Sequence, residues 1–117
     1  MGNRPSERSA LDLDPLAPQR TGDLDLRAVR YFLVLAEELH FGRAARRLDL
    51  SRSGLSRSIS ALERQLALRL FVRSHGGLRL TAAGSQLARH GSLLVRMQTE
   101  MLHELRGLVA ACESDPP

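Results

Sequence analysis

Residues 44–66, AARRLDLSRSGLSRSISALERQL, decide how the chain is read: two helices joined by a tight turn. Ala44, Ala45 and Leu48 give the first helix a small apolar face. Leu50 and Ser51 break that period. Leu55, Ile59, Leu62 and Leu66 then follow at spacings of four, three and four, one stripe on a second helix. Ser51 suits the N-cap of that helix, because its hydroxyl can accept from a backbone N–H that has no partner within the helix. The opposite face carries Arg52, Ser53, Ser56, Arg57, Ser60 and Arg64. A short Ala-rich helix, a turn and a helix with an Arg/Ser outer face fit a helix-turn-helix whose second helix enters the major groove of duplex DNA.

Composition agrees with a polyanionic partner. The 117 residues are 43% hydrophobic and 3% aromatic, enough for one small domain with an aliphatic core and an extension. The formal net charge is +4 and every basic residue is Arg, which favours nucleic acid over a membrane surface. Residues 25–81 hold eleven Arg against Asp25, Glu37, Glu38, Asp49 and Glu63, so this segment alone carries +6. The single Cys112 excludes an intrachain disulfide. No apolar run approaches the roughly 20 residues of a membrane span. The first 25 residues lack the apolar stretch of a signal peptide. A cytoplasmic, nucleoid-associated protein with no membrane partner is expected.

Residues 1–23 are rich in Pro, Gly, Ser and charge without a period, and are expected to be a disordered tail. A DNA-binding unit is expected over 24–80. Leu26, Val29, Phe32, Leu33 and Ala36 mark a first helix ending near Glu38, capped by Asp23 or Asp25. His40-Phe41-Gly42 reads as a connection before a helix over 43–48, and the second helix of the motif as 52–68. Leu70-Phe71-Val72-Arg73 and Leu78-Arg79-Leu80 flank Ser74-His75-Gly76-Gly77, a β-hairpin that would form a wing.

Thr81 caps a long helix over about 82–112, roughly 45 Å at 1.5 Å per residue, too long to fold back on so small a domain. Leu87, Gly91, Leu94, Gln98, Met101, Leu105, Leu108 and Cys112 alternate spacings of four and three, a heptad seam with two weak members, Gly91 and Gln98. Val95, Leu102 and Val109 widen the stripe. A stripe of this length predicts association with a second copy, with Gln98 fixing register. Residues 113–117 end in Pro-Pro, a stop, and are expected to be disordered.

These pieces resemble the N-terminal domain of LysR-type transcriptional regulators. The carrying residues are Leu26-Arg27, Tyr31-Phe32, Ala36-Glu37, Phe41, Ala44-Ala45, Leu48, Ser51, Leu55-Ser56-Arg57, Ile59, Leu62-Glu63, Leu66, Leu70-Phe71, Arg73, Leu80-Thr81 and Ala83-Gly84, in order and without a gap. The resemblance implies a mainly α winged helix-turn-helix with a two-stranded wing and a long dimerising linker helix. It also implies homodimers, often assembled into tetramers, that bind interrupted inverted repeats of double-stranded DNA in promoters. Arg52-Ser53 stand where the family has Gln-Pro, so Arg52 trades adenine reading for guanine or phosphate contact. Ala67 stands where the family has Gly, the residue that favours a left-handed helix end. The family's effector-binding domain has no counterpart in this sequence, so no small-molecule effector is expected to bind it.

The DNA-binding candidates are therefore Arg43, Arg52, Ser53, Ser56, Arg57, Ser60, Arg73, Arg79 and Thr81. The dimerisation candidates are Leu87, Leu94, Val95, Met101, Leu102, Leu105 and Leu108. The bland alternative for Arg52, Ser53, Ser56 and Arg57 is a solvated polar face. For Arg73 and Arg79 it is a solvated hairpin, and for Thr81 a helix cap. Arg64 can pair with Glu63 or face water. Arg43, Arg46 and Arg47 can touch the DNA backbone or solvent. His40, His75, His90 and His103 lack metal-ligand spacing, so no metal or cofactor is expected, and no catalytic set stands out. The rival function is an interaction module that forms heterodimers with full-length relatives and antagonises them.

Overall fold

The computed structural model of the chain describes residue 16 and residues 24–114, with side chains placed through residue 109. The tail expected over 1–23 (Leu16 apart), the side chain of Cys112 and residues 115–117 lie outside the described residues. The elements run α1 (Leu26–Glu38), α2 (Phe41–Arg47), α3 (Arg52–Leu66), β1 (Phe71–Ser74), β2 (Gly77–Leu80) and α4 (Ala82–Ser114). This is a mainly helical winged helix-turn-helix, as the sequence leads one to expect.

Asp25 caps α1, its carboxylate accepting the Arg27 N–H at 2.9 Å. Val29, Phe32 and Leu35 then fall on one face and are fully buried. The helix ends at Leu39, which is left-handed at φ 51. The next residues depart from expectation. His40 is the N-cap of α2, its Nδ1 accepting the Arg43 N–H at 3.0 Å, and Phe41 and Gly42 belong to the helix rather than to a connection. Inside α2 only Ala44 and Ala45 are buried, and their small side chains let the helix approach the core closely. The turn that follows is a Schellman closure. Asp49 sits at φ 56, its N–H bonds Arg46 O at 3.2 Å, and the Leu50 N–H bonds Ala45 O at 2.9 Å.

That turn delivers Ser51 to the start of α3, where Oγ accepts the Gly54 N–H at 3.0 Å. Leu55, Ile59 and Leu62 enter the core. The helix stops at Leu66, two residues short of the expected end. Ala67 turns left-handed at φ 55, its N–H bonding Arg64 O, while the Leu68 N–H reaches back to Glu63 O at 3.1 Å. The left-handed end thus forms without glycine. Ala67→Gly should therefore raise stability by about 0.5–1 kcal/mol, because a left-handed Cβ costs more than the freedom glycine adds to the unfolded chain. Thermal unfolding followed by circular dichroism should show a rise of a few degrees; a fall would mean that Ala67 is unstrained.

The wing is an antiparallel pair in the register Phe71↔Leu80, Val72↔Arg79, Arg73↔Leu78, Ser74↔Gly77. Of the two glycines in its turn only Gly77 has positive φ, at 110°. This fits a turn followed by one left-handed residue rather than a primed two-residue turn. Phe71 closes the core against Phe32, ring centroids 5.3 Å apart and tilted by 51°. Thr81 then fastens the end of the wing: its N–H bonds Leu70 O at 3.0 Å and its hydroxyl donates to Arg69 O at 2.6 Å. The same hydroxyl accepts the Gly84 N–H at 3.0 Å and so caps α4.

The long helix does fold back over its first half, a correction to the sequence reading. Gly91 is where α4 meets α1: a Cβ there would stand 2.9 Å from Val29 Cγ1. Gln98 accepts from Arg30 of α1 at 2.5 Å. The two weak members of the heptad seam thus both dock α4 on its own chain, and Gln98 is engaged within the chain. Past Gln98 every residue of α4 through Val109 is exposed, and the helix continues to Ser114, two residues beyond the expected stop.

Candidate nucleic-acid interface

With Leu55, Ile59 and Leu62 turned inward, helical geometry puts Arg52, Ser53, Ser56, Arg57 and Arg64 on the outer face of α3, all exposed. Arg52 and Arg57 make no ion pair among the described residues. Their five-donor guanidinium forks are free for an external acceptor. The Ser53 hydroxyl lies 3.4 Å from that of Ser51. Ser60 is half-buried. It lines, with Phe41, Ser56, Glu63, Arg69 and Arg73, a concave cleft between α3 and the wing.

The wing divides its two arginines. Residues alternate between faces along a strand. Phe71 and Arg73 share the face toward the body of the domain, and Arg79 lies opposite Val72 on the outer face. The Arg73 guanidinium rests over the Phe41 ring, 5.6 Å from its centroid, and faces the cleft. Only Arg73 is brought beside α3. Glu63, which the sequence offered as a partner for Arg64, turns instead to the wing. Its Oε2 accepts the N–H of Leu70 at 2.7 Å and of Phe71 at 3.4 Å, and lies 3.9 Å from Arg69 Nε. Arg69 was not singled out from sequence; it lines the cleft as Arg73 does, and a basic residue two positions before the first strand was the available signal.

Arg43 and Thr81 are already engaged. Arg43 Nε pairs with Glu38 Oε1 at 3.3 Å, and its Nη2 donates to Glu38 O. Arg47 Nη1 bridges Glu37 at 3.2 Å and Glu38 at 3.0 Å. The Arg47 guanidinium bonded to Glu38, joined by Arg43, holds the Glu38 carboxyl below its ordinary range despite some desolvation. Glu38, and then Glu37, in turn raise the Arg47 value. This network clamps the end of α1 to α2. Of the three arginines in α2, Arg46 alone makes no ion pair among the described residues.

The dimerisation candidates also divide. Leu87 packs against the core, and half-buried Val95 lines a groove with Leu33 and Ala36 of α1. Leu94, Met101, Leu102, Leu105 and Leu108 are exposed. Among the described residues no helix is long and apolar enough to cross a membrane, and no cluster of His, Cys, Asp or Glu could hold a metal ion.

Comparison with known proteins places this geometry. The family model described as "Bacterial regulatory helix-turn-helix protein, lysR family" matches residues 26–85. The HTH-type transcriptional regulator YnfL of Escherichia coli K12 is 43% identical over 88 residues, which cover 70% of this chain and 30% of that protein. XapR, an HTH-type transcriptional regulator of the same organism, is 47% identical over 77 residues, 66% of this chain and 26% of that one. The chain therefore spans less than a third of the length of these curated relatives. Among solved structures, the BenM_DBD/catB site 1 DNA complex matches with a TM-score of 0.71 at 28% identity, covering 74% of this chain and 97% of that one. With the segment from the start of α1 to the first turn of α4, half of its length, inside the family model, the chain belongs to the lysR family of bacterial regulatory helix-turn-helix proteins.

Proposed function

We propose that this chain binds double-stranded DNA as a homodimer and regulates transcription in the bacterial cytoplasm. The outer face of α3 enters the major groove. Arg52 and Arg57 reach base edges or phosphates, Ser53 and Ser56 add shorter contacts, and Arg73 on the wing meets the backbone. The observation that carries this reading is the pairing of two unengaged arginines on the exposed face of α3 with a basic cleft between α3 and the wing. That a structural neighbour of 97% coverage was solved on DNA supports it. The exposed distal half of α4 supports self-association, and a two-fold dimer implies paired half-sites. The relatives are named transcriptional regulators, not enzymes. They lend the heterodimer-antagonist reading no support.

The test is fluorescence anisotropy with the duplex from just upstream of the protein's own gene, beside a scrambled duplex, across a salt series. Tighter binding to the upstream duplex that persists as salt rises is expected. Equal binding that collapses with salt would reduce the activity to phosphate attraction. Arg57→Ala should weaken the upstream duplex by about 1–3 kcal/mol per half-site and narrow its advantage over the scrambled one. Arg73→Ala should weaken both duplexes alike and flatten the slope of log affinity against log salt by about 1 per half-site. Arg73→Ala that altered sequence preference at an unchanged slope would take the wing off the phosphates.

A further inference from the structure

We propose that Glu63 is a positioning residue for DNA binding, the link that sets the wing against the recognition helix; this rests on the DNA-binding reading above. Glu63 lies in the last turn of α3, on the helix that carries Arg52 and Arg57. Its Oε2 accepts the Leu70 N–H at 2.7 Å and the Phe71 N–H at 3.4 Å, at the entry to β1. Its own carbonyl accepts the Leu68 N–H at 3.1 Å. One residue therefore holds both ends of the connection between helix and wing. Phe71 begins the strand whose third residue is Arg73. A shift at the Leu70 and Phe71 amides is carried along that strand to the guanidinium over Phe41. The side chain is only 16% exposed, so water replaces it poorly as an acceptor for those amides.

Charge and position make opposite predictions. Glu63 lines the cleft assigned to DNA and lies 3.9 Å from Arg69. If it acted through charge alone, removing it would relieve repulsion with phosphate, release Arg69 and tighten binding. As a positioning residue, its removal loosens the wing and weakens binding.

The experiment is the salt-series anisotropy above, on the full chain with the upstream and scrambled duplexes. Glu63→Ala should bind both about fivefold to tenfold more weakly, with the slope reduced by about 1 per half-site as in Arg73→Ala and the preference for the upstream duplex kept. The double variant Glu63→Ala/Arg73→Ala should bind no worse than Arg73→Ala alone, since the two act through one contact. Glu63→Gln should stay within about twofold of wild type, because its amide oxygen accepts from the same two N–H groups. Tighter binding by Glu63→Ala, losses that multiply in the double variant, or Glu63→Gln as impaired as Glu63→Ala would each overturn the role. Should Glu63→Ala fail to fold, Glu63→Asp decides: it keeps the charge but falls one methylene short. Asp impaired beside an unimpaired Gln upholds positioning, and the reverse overturns it. Wild-type protein that binds neither duplex would overturn the DNA-binding reading itself, whereas wild-type binding with indifferent Glu63 variants removes only this role.

Discussion

Met101→Glu combined with Leu105→Glu is expected to leave each chain folded while abolishing the proposed dimer and lowering affinity for a two-half-site duplex by on the order of 100-fold or more. Both residues lie on α4 beyond the stretch docked on α1, 51% and 50% exposed in the single chain. Neither contributes to the core, so thermal unfolding of the isolated chain should move little. Two glutamates four residues apart on one helix cost only a few tenths of a kcal/mol. What they cost in a dimer is different. Met97, Met101, Leu105 and Leu108 follow one another at helical spacings on an unpaired helix, an apolar stripe that a monomer has little reason to expose. Burying a carboxylate there, facing its own copy across a two-fold axis, is prohibitive. Sedimentation equilibrium should show dimer for wild type, as proposed, and monomer for the variant. Affinity for a duplex with a single half-site should be unchanged, because α3 and the wing are untouched. A variant that still sedimented as a dimer would place the self-association surface elsewhere.

The sequence pattern reached this stripe but assigned too much of it to the partner. A heptad seam shows that one face is apolar; it does not say which part meets the same chain. Gly91 and Gln98 looked weak as seam residues because they serve another contact, a close approach to Val29 and a bond to Arg30. That distinction needs the position of α1, which no local period encodes. The helix-turn-helix was legible because its signals are local: Ser51 before Leu55, Ile59 and Leu62, and Ala44-Ala45 for close packing.

What was misread follows the same division. His40 is a rare cap, so 40–42 looked like a connection although the ring nitrogen does what a serine oxygen does elsewhere. Leu39 and Ala67 end their helices left-handed without glycine, against propensity, and close them through backbone bonds from the Leu39 N–H to Leu35 O and from the Ala67 N–H to Arg64 O. The split between Arg73 and Arg79 was recoverable in principle. Once Phe71 faces the core, alternation puts Arg73 on its side, and Arg79, cross-strand neighbour of Val72, falls on the other. The turning of Glu63 to the Leu70 amide was not, since it depends on where α3 stops.

Gly84→Ala is the substitution with the largest expected effect on folding, a loss of about 2–3 kcal/mol from a single added methyl. Gly84 is buried in the first turn of α4, and a Cβ there would overlap Leu70 O and stand 2.9 Å from Leu80 Cδ2. The leucine tip can rotate away; the carbonyl cannot. Leu70 O holds the Thr81 N–H at 3.0 Å, and Thr81 in turn bonds Arg69 O and the Gly84 N–H. Any movement that admits the methyl pulls on the whole clasp between the wing and α4. For a domain of this size the unfolding midpoint should drop by on the order of 10 °C. Gly107→Ala is the control, because nothing meets a Cβ at that position of the same helix. There the better helix propensity of alanine should instead stabilise by about 0.5–1 kcal/mol. The pair separates two explanations for glycine in α4. Opposite signs mean that Gly84 is kept by its approach to Leu70. Two small gains would mean that the clasp yields to a methyl group, and that the wing is held to α4 more loosely than its hydrogen bonds require.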